Sequence, residues 1–366
     1  MFRQLFGRQV FGRTRTATDW PGVLTRYPDL IDVPAQARAI TLLEGNTPLI
    51  RAVTLSEELG CKLWIKYEGL NPTGSFKDRG MTAAVTQAVY SGAETIMCAS
   101  TGNTAASAAA YAARAGIRCV VIVPEGKVAQ GKLAGALAYG AEVVSISGSF
   151  DDGLALVREA TEKLPIALVN SINPYRLEGQ TSAAYEIVDV LGSAPDWLCL
   201  PVGNAGNISA YWMGFKRYWE AGRTERLPRL LGTQAEGAAP LVKGYVIKQP
   251  ETVATAIRIG SPARGEQALA AADESGGFIT AVSDAAILSA WRQLATQEGI
   301  FVEPASAAGL AGLLASVEQN RIDVKGQRVV CVVTGHGLKD PQIVLDQTEP
   351  PATLEPTMAA LEDYLA

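Results

Sequence analysis

The chain is almost without histidine: His336 is the single one among 366 residues. That excludes multi-histidine metal sites and leaves one candidate base for a Ser-His-Asp arrangement. No G-x-S-x-G turn accompanies it, so the nucleophile of such an arrangement is missing. Cysteine is scarce as well. Cys61, Cys98, Cys119, Cys199 and Cys331 form no C-x-x-C pair, and four lie in or beside apolar, strand-like runs. They read as small buried hydrophobes in a reducing compartment, and a thiol nucleophile has little local support. Charge is thin too. Charged residues make up 19% against 48% hydrophobic, a balance that excludes a disordered chain. The net charge of −5 argues against a nucleic-acid partner. Long hydrophobic runs are absent. Runs such as CVVIVP from Cys119 have the length of a strand, and none is long enough to span a membrane.

What is present is apolar material for a large core. The length suits two α/β domains of about 150–200 residues each. The N-terminus is a basic tail, residues 1–20, of unassigned role. Arg3, Arg8, Arg13 and Arg15 alternate with Phe2, Leu5, Phe6, Val10 and Phe11, and no acid appears before Asp19. Such a start can be an organelle transit segment, but packing on the body or a partner is the simpler reading. From about residue 94 strand and helix patterns alternate. Apolar, β-branched runs stand at 95–99, 117–123, 142–146, 166–170, 197–202, 229–234 and 328–334. Helical stretches lie between most of them, at 104–115, 128–139, 151–163, 178–191 and 207–221, with Gly116 and Gly140 placed as C-caps. This alternation predicts βαβ units and parallel sheets buried on both faces. The Gly/Pro-rich stretches 236–250 and 260–277 read as ordered surface excursions. Folds of this class take ligands at the carboxyl ends of strands, so the loops there are the places to search.

Four loops carry chemistry. GLNPTGSFKDRG (69–80) follows a strand-like run, with Ser75 as an expected N-cap and Lys77 in the first helical turn. A cation there opposes the helix dipole, which favours a neutral, nucleophilic amine. The plainer alternative is a solvated lysine paired with Asp78. STGNTAASAAA (100–110) offers hydroxyls, an amide and backbone N–H groups at a helix start, which suit an anion or an ordinary capped turn. In PVGNAGNIS (201–209), Gly203, Ala205 and Gly206 let main chain approach a phosphate at the next helix start. The G-x-G-x-x-G spacing fails, so a small phosphate cup fits better than a dinucleotide crevice. TGHGLKDP (334–341) ends a buried strand at Thr334, whose hydroxyl is expected in the crevice. One ligand with a phosphate, a carbonyl for Lys77 and a ring heteroatom for Thr334 satisfies these loops: pyridoxal phosphate.

The motifs EGNTPL (44–49), NPTGSFKDRG (71–80), STGNTAAS (100–107), NSINPYRLEGQ (170–180), PVGNAGN (201–207), EPASAAG (303–309) and TGHGLKDP (334–341) stand in a fixed order over residues 20–345. In this the chain resembles the threonine synthases, among the fold-type II pyridoxal-phosphate enzymes. The resemblance implies an α/β fold of two parallel-sheet domains, tryptophan synthase β-like, with the active site between them. A small domain at 74–162 would be inserted in a large one formed by 21–73 and 163–366. It implies conversion of O-phospho-L-homoserine and water to L-threonine and phosphate. Lys77 would hold the cofactor and act as base and acid. Gly203, Asn204, Ala205, Gly206 and Asn207 would hold the cofactor phosphate, Asn103 its ring oxygen and Thr334 its ring nitrogen. The substrate carboxylate would meet Ser100, Thr101 and Thr104. Its phosphate would meet Arg176 and Lys132, helped by Asn170 and Ser171, with Lys127 an alternative to Lys132 and a surface pair with Glu178 an alternative for Arg176. A cytoplasmic homodimer acting on a small molecule is expected. A serine/threonine dehydratase on the same fold is the rival reading.

Overall fold

The structure is a computed structural model that describes residues 20–125, 130–147 and 150–366, except for the side chains of 130–132, 150, 151, 154, 155, 158 and 162. The basic tail, up to residue 19, and Lys127 lie outside the described residues. Ten strands form two sheets among the described residues: β1 (Leu49–Arg51), β2 (Lys62–Tyr67), β3 (Thr95–Ala99), β4 (Arg118–Pro124), β5 (Glu142–Ile146), β6 (Ile166–Leu168), β7 (Trp197–Pro201), β8 (Arg229–Ala235), β9 (Phe278–Val282) and β10 (Arg328–Val333). The larger sheet has the order β1-β2-β10-β7-β8-β9 and the smaller β5-β4-β3-β6. All pairings are parallel except that of β1 with β2.

Central strands are buried on both faces, which is why they read as continuous apolar runs. Every residue of β7 is buried, and β10 is buried from Val329 onward. All five cysteines are free and buried. Burial pushes the Cys61 thiol up to about 11 and that of Cys119 to about 12, so neither is a nucleophile near neutral pH. The smaller sheet extends past residue 162, because β6 pairs with β3 from Thr95 to Met97. β9 goes beyond the strands that the apolar runs predict; it is an edge strand, only partly buried, whose apolar face is short.

Two helices set the position of Lys77. The helix Lys77–Tyr90 crosses the helix Pro174–Leu191 through paired glycines. A Cβ on Gly179 would run into the Arg79 carbonyl oxygen, and one on Gly80 would lie 2.8 Å from Arg176 Nε. Beside this crossing Arg79 is fully buried. Its Nε and Nη2 donate to Glu68 at 2.6 and 2.8 Å, and its Nη1 and Nη2 to Glu186 at 2.6 and 2.7 Å. Lys66 Nζ also donates to Glu186, at 2.7 Å. Two cations and two carboxylates thus form a neutral buried quartet that ties β2 and both helices together. Removing one member would strand a buried charge, which typically costs about 3–5 kcal/mol. The EGNTPL segment closes this network: Thr47 Oγ1 donates to Glu68 at 2.7 Å and the Asn46 N–H to Glu186 at 2.8 Å.

Candidate active site

Lys77 is the first residue of its helix. The expected Ser75 cap is not made: Phe76 holds the N-cap position in helical conformation, and the Ser75 hydroxyl reaches the Lys77 N–H only at 3.4 Å. Ser75 instead bridges to Gly335, and Phe76 N–H donates to the Thr334 carbonyl at 3.0 Å. These bonds fix the start of the Lys77 helix on the carboxyl end of β10. Lys77 Nζ lies 4.1 Å over the Phe76 ring and has no ion pair among the described residues. Burial first, then the Arg176 charge, lower its pKa to about 7, against a smaller opposing pull from Glu303. Asp78 does not partner it. That carboxylate accepts from Thr73 N–H at 2.7 Å, and from the hydroxyls of Thr73 and Ser107 at 2.6 Å each.

Around Thr334 the packing leaves little freedom. Its hydroxyl lies 3.0 Å from Ser306 Oγ, and the N–H groups of Thr334 and Gly335 both donate to that oxygen at 2.9 Å. Ser306 belongs to the helix Pro304–Glu318, with Glu303 at its N-cap position. Asn103 opens the helix Asn103–Ala115 and places Nδ2 3.1 Å from each Glu303 oxygen. Burial raises the Glu303 pKa above the usual carboxylate range. Glu303 and Ser306 sit within the EPASAAG motif. Their hydrogen-bonding roles depend on partners 200 and 28 residues away, and local spacing carries no trace of those.

The 203–207 turn follows β7 and opens the helix Gly206–Glu220. Ala205 is left-handed, with φ 65°, an uncommon conformation for a residue with a side chain. A Cβ on Gly203 would lie 3.1 Å from Ile257 Cα, so only glycine fits without a shift. Asn207 Nδ2 is buried without an acceptor among the described residues. A buried donor left unmade is costly, and here it sits at a helix N-terminus beside two glycines. The turn therefore fits a phosphate group, and with Lys77 it could hold pyridoxal phosphate.

Arg176 is not a surface residue: it is 2% exposed. Glu178 is engaged elsewhere, by Arg217 at 2.6 and 2.8 Å. Arg176 Nη1 donates to the Val169 carbonyl at 2.8 Å, its Nε has no acceptor, and it has no ion pair among the described residues. Burial holds its pKa down at about 10. Asn170 uses its amide on the backbone of Ala99, accepting from N–H at 2.9 Å and donating to the carbonyl at 2.8 Å. It thereby pins the Ser100 loop, where Ser100 Oγ accepts from Gly102 N–H at 3.4 Å and Thr101 and Thr104 are half-buried. The Ser171 carbonyl accepts from Arg264 Nε at 3.0 Å. The Lys132 side chain lies outside the described residues. His336 is structural in its visible contacts. Its ring stacks on Tyr67 at 6.2 Å, and its Nδ1 accepts from Leu338 N–H at 3.2 Å.

Residues 40–335 match the family described as pyridoxal-phosphate dependent enzyme. The threonine synthase of Synechocystis sp. is 57% identical over 335 residues, covering 91% of this chain and 87% of that protein. The threonine synthase of Halalkalibacterium halodurans is 54% identical, covering 95% of this chain and 98% of that one. Among solved structures, a T.th. threonine deaminase is 28% identical with a TM-score of 0.67, covering 80% of this chain and 92% of that chain. With identity above one half along nine-tenths of its length, the chain belongs to the pyridoxal-phosphate-dependent enzymes and, within them, to the threonine synthase family.

Proposed function

We propose that the chain converts O-phospho-L-homoserine and water to L-threonine and phosphate. The observation that carries this reading is Arg176, a buried guanidinium with an unpaired Nε and no carboxylate partner among the described residues. An uncompensated buried charge is expensive unless a ligand of opposite charge completes it. A substrate phosphate does so; serine and threonine carry a single anion, the α-carboxylate, which the Ser100 loop takes, and no second one for Arg176.

Pyridoxal phosphate, when bound, supplies an electron sink that makes protons near the substrate amine removable. Lys77 holds the cofactor and moves those protons. With its pKa near 7, its amine takes one proton from Cα and one from Cβ and returns one to Cγ and one to Cα without a large energetic penalty either way, while the proton left by the added water goes out on the phosphate. Loss of phosphate from Cγ and addition of water at Cβ complete the change. The 203–207 turn takes the cofactor phosphate, Asn103 the ring oxygen, and Thr334, braced by Ser306, the ring nitrogen. Ser100, Thr101 and Thr104 take the substrate carboxylate. Arg176 and Ser171 take its phosphate, together with Lys132 or Lys127, and Asn170 contributes by holding the Ser100 loop. The family resemblance further supports a cytoplasmic homodimer of chains with a small unit inserted near 74–162. No helix among the described residues is long and apolar enough to cross a membrane.

Assaying phosphate release from O-phosphohomoserine beside 2-oxoacid formation from serine and threonine tests the reading. Stoichiometric phosphate and threonine are expected. Oxoacid from serine or threonine, with no phosphate released from O-phosphohomoserine, would establish the dehydratase instead.

A further inference from the structure

The excursion between β8 and β9 contains an arginine that the proposed chemistry does not use. Arg264 precedes the helix Gly265–Glu274. Its side chain runs past the 203–207 turn, where a Cβ on Gly206 would lie 3.9 Å from Arg264 Cδ. Beyond that turn its guanidinium forks onto two consecutive carbonyls of another loop. Nε donates to Ser171 at 3.0 Å and Nη2 to Ile172 at 3.1 Å, while Nη1 donates to Gln267 Oε1 at 2.9 Å. No carboxylate pairs with it among the described residues, and partial burial lowers its pKa. A planar fork spanning two successive carbonyls fixes both distance and orientation, which an ammonium cannot reproduce.

We infer that Arg264 is a positioning residue: it holds the 170–173 loop in register with the 203–207 turn, so that the substrate's phosphate subsite keeps a fixed place relative to the cofactor's. The two loops follow different strands, β6 and β7, and Arg264 joins a third segment to both. This rests on the proposed reading of the 170–173 loop as part of the substrate-phosphate site. Small displacements of a positioned group lower transition-state binding steeply, so the register matters more than the few bonds suggest.

The test is steady-state kinetics of the cofactor-loaded enzyme with O-phosphohomoserine, with inorganic phosphate as competitor, for wild type, Arg264→Ala and Arg264→Lys. Arg264→Ala is expected to raise KM and the inhibition constant of phosphate by about ten-fold each. Cofactor content per chain and Tm should stay near wild type, and kcat should change less than KM. Arg264→Lys should recover only part of the loss. KM and phosphate inhibition within about two-fold of wild type in Arg264→Ala would overturn the inference while leaving the proposed function standing. So would a loss of cofactor and Tm in step with activity, which marks a general structural role. Failure of the wild type to turn over O-phosphohomoserine would overturn both.

Discussion

Lys77 is placed where a folded chain gains least from a lysine: buried, at the positive end of a helix, near the Arg176 charge. Burial first and the Arg176 charge second disfavour the ammonium form and, against the pull of Glu303, bring the amine from its usual 10.5 to about 7. The linkage follows in sign. Between pH 7 and 10.5 the unfolded chain binds a proton at Lys77 that the folded chain does not, so the Lys77 contribution to folding stability rises with pH across that window by about 1.4 kcal/mol per unit. Below pH 7 the whole penalty is present. Lys77→Met in the cofactor-free protein should therefore raise stability, and by more at about pH 6 than at about pH 9. Urea melts of both proteins at the two pH values check this. An equal gain at both would show that the lysine is not desolvated as the structure has it.

At the scale of elements, the Lys77 helix is held by a crossing so close that side chains are excluded. Gly179→Ala sets a Cβ against the Arg79 carbonyl, a backbone atom that cannot swing away. Alanine ordinarily gains about 1 kcal/mol over glycine inside a helix. Here the overlap should reverse that, giving a net loss of about 2 kcal/mol. The same shift disturbs the Arg79 quartet and the start of the Lys77 helix, so weaker cofactor retention should accompany the lower Tm; calorimetry and visible absorbance read the two effects. Much at this scale is legible in the sequence. The strands from β3 to β8, and β10, announce themselves as apolar runs, and Gly116 ends its helix in left-handed conformation as expected. What is not legible depends on partners far along the chain. Ser75 has the local marks of a cap, yet Gly335 takes it. The quartet of Lys66, Glu68, Arg79 and Glu186 has no local signature, since its members meet only after the sheet and both helices have packed.

At the scale of the whole molecule, the proposed site draws on groups that follow strands of both sheets: Lys77 and Thr334 by the end of β10, the 203–207 turn after β7, Asn103 after β3 and Arg176 in the segment after β6. The loops that carry these proposed groups stand out in the sequence because they follow strands, where parallel sheets collect their loops. The nature of Arg176 does not, since Glu178 beside it suggests a surface pair until Arg217 is found to hold that carboxylate. Burial without a counter-ion among the described residues turns Arg176 into a test of what the molecule acts on. Arg176→Ala should raise KM for O-phosphohomoserine strongly. A charge-assisted contact in a closed site is typically worth about 1.5–3 kcal/mol, roughly a ten-fold to two-hundred-fold change. Arg176→Lys should recover only part of it, because the ammonium lacks the planar fork. The substitution also removes a cation that depresses Lys77, so the acid limb of the pH–rate profile should move upward in Arg176→Ala. Kinetics across pH on the three proteins read both effects. An unchanged KM would place the substrate phosphate elsewhere, toward Lys127 and Lys132. An unmoved limb would show that the two cations do not share one closed site.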